Sequence, residues 1–158
     1  MNSILIQICS FLYISLLLFV YFSKKRLNVL ENKIYILMMI SNFFGLIFDV
    51  ASIFTIKSMD KIPLINMIVA KIYLLYLLTF MFLFTIYIFT ISLKDKTKGK
   101  IRIKKFIKYS SIIYCIFIII TSSLPLYFKN ENEIIYSYGP SATFLYFVSG
   151  LCMTVWII

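Results

Sequence analysis

The 158-residue sequence has no histidine, and only six acidic residues stand against sixteen basic ones. Without histidine this segment can hold no Ser-His-Asp triad, no HExxH zinc site and no phospho-accepting histidine. Its four glycines (Gly45, Gly99, Gly139 and Gly150) form neither a GxxxxGK[ST] nor a GxGxxG phosphate loop. The three cysteines, Cys9, Cys115 and Cys152, are odd in number, widely spaced and set in apolar runs. That pattern argues against a disulfide framework or a metal site and reads as small apolar packing residues. An intramembrane protease needs paired aspartates within helices, and only Asp49 lies inside an apolar run. Glu131 and Glu133 sit in a short polar stretch and read as solvated charges. No catalytic residue is expected here.

Charge as a whole is scarce. Charged residues make up 14% of the chain and hydrophobic ones 62%, with a mean hydropathy of +0.98; ordinary soluble domains carry about 25% charged residues. A soluble core of this length has no use for so much apolar surface. The class is integral membrane. Membrane barrels alternate apolar and polar residues, whereas these runs are apolar on every face, so the expected fold is all-α and polytopic.

Five membrane-spanning helices are expected, at about residues 4–22, 34–56, 64–93, 109–128 and 142–158. A cleaved signal peptide carries its positive charge before the apolar stretch. Here Lys24, Lys25 and Arg26 follow it, which predicts a retained anchor with the N-terminus outside. The basic residues cluster between alternate spans: four in 24–33 and eight in 94–108, against Lys57, Lys61 and Lys129 on the other side. The positive-inside rule then puts 24–33 and 94–108 in the cytoplasm. Five spans bring the C-terminus inside as well. The fifth run stops at Ile158 without a basic flank, as if cut, so a cytoplasmic output domain is expected to follow it. The net charge of +10 marks topology rather than nucleic-acid binding. The 94–108 loop is also a candidate contact for anionic lipid headgroups, beside its bland role as a topology anchor.

The polar residues inside the spans are the candidate site. Asp49 lies eleven residues before Asp60 and Lys71 eleven after it. In an antiparallel helical hairpin centred on 57–63, their side chains fall at similar depth. Ionisable groups in a membrane cost roughly 2.5–3.5 kcal/mol each on insertion scales and usually pair, which predicts an Asp49–Lys71 ion pair. Asn42, Gly45, Asp49 and Ser52 share one helical face, a small and polar stripe suited to helix packing or to a polar cavity. Asn66 is a further candidate contact. Pro63 suits the first turn of the third helix, and Pro125 is expected to loosen the end of the fourth.

The segments Glu31-Asn32-Lys33-Ile34-Tyr35 and Asn42-Phe43-Phe44-Gly45-Leu46 with Asp49 resemble the membrane region of multi-span bacterial sensor histidine kinases. Residues 73–87 are similar in the same way, as are Leu124-Pro125-Leu126-Tyr127 and Tyr136-Ser137-Tyr138-Gly139-Pro140-Ser141. The resemblance implies a single membrane-embedded sensor region over 1–158, dimeric, in a two-component system. The kinase domain, a transferase using ATP and Mg²⁺, would lie outside this segment. Similar regions also precede diguanylate cyclases. From a different class, a small transporter or transporter subunit accounts equally for intramembrane charges, although no inverted repeat or broken mid-membrane helix supports it.

Overall fold

The structure is a computed structural model that describes residues 2–23, 29–57, 61–93, 99–131 and 134–157. It comprises helices α1 (Asn2–Ser23), α2 (Leu30–Lys57), α3 (Pro63–Ser92) and α4 (Gly99–Ser123), a hairpin of strands β1 (Tyr127–Glu131) and β2 (Ile134–Tyr138), and helix α5 (Pro140–Ile157). Among the described residues, four helices are long and apolar enough to cross a membrane: Ile6–Ser23, Leu30–Ile56, Pro63–Ser92 and Arg102–Ser123. The helical membrane class expected from composition is therefore what the fold displays.

The exterior explains the composition. Phe19 is 73% exposed, Leu64 68% and Ile119 65%, and exposed apolar side chains line every helix. Apolar surface of this extent is compatible with contact between these helices and lipid.

Helix α3 is the central element, packing on α2, α4 and α5, while α1 packs on α2. Its buried residues Asn66, Ala70, Leu74 and Leu78 recur every four positions, followed by Ile86 and Thr90. Toward one end, Ala70, Leu74 and Leu78 pack with Leu126, Ala142, Leu145 and Val148. Toward the other, Ile86 packs with Ile34 and Met38 of α2, and Phe89 stacks on Phe106 of α4 at 3.7 Å. The first is called the hairpin end and the second the basic end. At the basic end the side chains of Arg102, Lys104, Lys105 and Lys108 are exposed; residues 94–98 of the proposed lipid-contacting loop lie outside the described residues.

Two boundaries differ from expectation. Helix α4 begins at Gly99 rather than near 109, because Ile103, Phe106 and Ile107 keep an apolar face running through the basic residues. It stops at Ser123 rather than 128, ahead of Pro125. The stretch beyond is an antiparallel hairpin with Tyr127 opposite Tyr138 and Lys129 opposite Tyr136, where only a loop was expected. Its aromatic and β-branched residues favour strand over coil.

Candidate functional site

Helix α2 sits between α1 and α3, and its polar stripe divides between them. Asn42 accepts a 2.7 Å hydrogen bond from the Tyr76 hydroxyl of α3. Gly45 is buried directly under the Tyr76 ring, so closely that a Cβ there would run into the ring carbons. Toward the hairpin end, Thr55 Oγ1 lies 3.1 Å from Asn66 Oδ1. Asn66 is wholly buried. Ser52 turns its hydroxyl back to the Asp49 carbonyl at 2.7 Å.

Asp49 and Lys71 are not brought together. The Asp49 carboxylate accepts a 2.7 Å hydrogen bond from Gln7 Nε2 of α1. Lys71 instead donates to the Ser122 carbonyl of α4, also at 2.7 Å. The reason is angular. The Asn42–Tyr76 and Thr55–Asn66 contacts are centred close to position 60, so the hairpin counting gives depth sensibly. Lys71, however, is five residues past Asn66 and five before Tyr76. At roughly 100° per residue, that sets it about 180° from the mean direction of those two α2-facing residues. The expected ion pair is replaced by two separate contacts.

Lys71 belongs to a second constellation, the end of α4. The last carbonyls of a helix have no partner within it, and in lipid each unsatisfied group costs several kcal/mol. Leu124 N–H still reaches Ile120 O at 3.0 Å. The next amide would be that of Pro125, which has no N–H, so Thr121 O is orphaned. Ser141 at the start of α5 fills the gap. Its hydroxyl donates to Thr121 O at 3.1 Å and its N–H to Pro125 O at 3.3 Å. Lys71 caps Ser122 O, placing a cation at the negative end of the α4 dipole. The Pro125 turn is thus not loose. Helices α3 and α5 clasp it.

The turn from β2 into α5 depends on Gly139. Its φ of +120° disfavours any side chain, and a Cβ would lie 2.9 Å from the Tyr127 ring and 3.3 Å from Pro125 O. Pro140 then starts α5 in the first-turn position, where its missing donor is harmless.

At the hairpin end the molecule therefore has a polar belt through α1, α2 and α3 (Gln7–Asp49, Asn42–Tyr76, Thr55–Asn66) and a clasp joining α3, α4 and α5. Gln7, Tyr76 and Ser141 are the partners the sequence reading does not supply. Gln7 has a signal, as the only amide between residues 4 and 22. Among the described residues no three His, Cys, Asp or Glu side chains cluster so as to hold a metal ion. No protein family, curated protein or solved structure matches the chain.

Proposed function

We propose that the chain is a signal-input region of five spans, with its hairpin end outside the cell and its basic end in the cytoplasm. It would relay an extracellular or membrane signal to a cytoplasmic histidine kinase. The observation that carries this reading is α3, a single 30-residue helix. It contacts α2, α4 and α5, holds the belt through Tyr76 and Asn66, holds the clasp through Lys71, and continues to the basic end. A ligand that favours one packing at the hairpin end would shift the position of α3 at the other. The twelve basic residues of 24–33 and 94–108, against three on the opposite side, support the orientation.

A transporter is the second reading, and one observation favours it. Among the described residues Asp49 meets a neutral amide rather than a cation, and an intramembrane carboxyl so placed suits a proton or ion pathway.

The test is biochemical. Native membranes carrying the gene product are supplied with ATP and the purified product is assayed for acid-labile phosphohistidine. Phosphohistidine on the same polypeptide is expected. A product that forms none and drives substrate flux in proteoliposomes is a transporter; one that makes a cyclic dinucleotide from GTP is a cyclase input region.

A further inference from the structure

We propose that the cavity beneath the β-hairpin binds a small uncharged amphiphile, an apolar body about the size of one aromatic ring bearing a hydroxyl. The cavity has a volume of about 230 Å³ and is walled by α2, α3, α5 and both strands. That is below the roughly 300–1,000 Å³ of pockets for drug-sized ligands, so the occupant is a smaller molecule.

The lining sets its chemistry. Every polar side chain on the wall is a hydroxyl (Ser52, Tyr73, Ser137 and Tyr146), and the remainder is aliphatic or aromatic, including Phe128 and Ala142. No ionised side chain lines it among the described residues. A charged ligand would be stripped of water with no counter-ion, at a cost that hydroxyls do not repay. A wholly apolar ligand would strand the hydroxyls instead. Ser52 has spent its proton on the Asp49 carbonyl and remains an acceptor on the α2 wall. Tyr73 Oη has no hydrogen-bond partner among the described residues and supplies a donor on the α3 wall. A ligand hydroxyl satisfies both, since it donates and accepts.

The position gives such a ligand leverage, an argument that rests on the input-region reading. Ser52 is one turn from Asp49, Tyr73 one turn from Tyr76, and Ala142 is next to Ser141. The cavity therefore lies between belt and clasp and touches the elements that carry both.

The experiment uses the full chain in lipid nanodiscs, with 4-fluorobenzyl alcohol as the probe and ¹⁹F NMR as the readout. Saturable binding, displaced by unlabelled benzyl alcohol, is expected. Tyr73→Phe, which removes one oxygen, should weaken it roughly three- to tenfold, as should replacing the probe by 4-fluorotoluene. Ala142→Leu fills the cavity and should abolish saturation. Linear partition into lipid, the same for wild type, Tyr73→Phe and Ala142→Leu, would overturn the site. The site and the input reading fail separately. Saturable binding without phosphohistidine in the native product retains the site and removes the input reading; phosphohistidine with mere partition of the probe does the reverse.

Discussion

Lys71 shows how a residue at the right depth can serve a different purpose from the one its charge suggests. It faces away from α2 and caps Ser122 O, while Asp49 is held by Gln7. A double-mutant cycle separates these pairings. Asp49→Asn with Gln7→Leu should show a coupling of about 0.5–3 kcal/mol in equilibrium unfolding in detergent micelles, and Asp49→Asn with Lys71→Met should be additive within about 0.5 kcal/mol. Strong coupling of Asp49 to Lys71 would restore the ion pair. Ser141 carries an equally specific expectation, because Pro125 leaves Thr121 O with no backbone donor. Ser141→Ala should cost about 1–3 kcal/mol in the same unfolding measurement, by leaving a buried carbonyl unpaired. Thr143→Ala removes only an exposed bond to Gly139 O and should change stability by less than about 0.5 kcal/mol.

Among the elements, the seam between α2 and α3 is the most legible in the sequence. The offsets of Asn42, Gly45, Asp49 and Ser52 mark a contact face, and the short 57–63 link fixes antiparallel register. Depth along a hairpin is a one-dimensional count and survives translation into structure. Direction round the helix is harder, since a change of two residues turns a side chain to the far side. Even so, the sequence holds the relevant conflict: Asn66 and Lys71, five apart, cannot both face α2. The hairpin and its clasp were least legible, because capping of Thr121 by Ser141 joins residues twenty apart across a change from helix to strand and back. Three substitutions test the seam. Gly45→Ala should destabilise by about 1–3 kcal/mol through overpacking against the Tyr76 ring, with partial rescue by Tyr76→Leu. Tyr76→Phe alone should cost only about 0.5–1.5 kcal/mol, the value of one hydrogen bond. Chemical unfolding of the four proteins checks both values.

For the whole molecule, helical class and membrane residence follow from composition, and the exposed apolar exterior is the structural form of the same fact. Orientation rests on charge alone. The basic side chains exposed on the first turns of α4 and the hairpin lie at opposite ends of that helix, so a membrane-crossing α4 would place them on opposite sides. This is the claim on which the input reading turns, since belt, clasp and hairpin are useful to an extracellular signal only if they face outward. The direct measurement is labelling of single cysteines by a membrane-impermeant maleimide in intact cells, with Cys9, Cys115 and Cys152 replaced by serine. Ser137→Cys on the hairpin should label in intact cells, and Lys104→Cys only after permeabilisation. Labelling of Lys104→Cys in intact cells, with Ser137→Cys protected, would contradict the account.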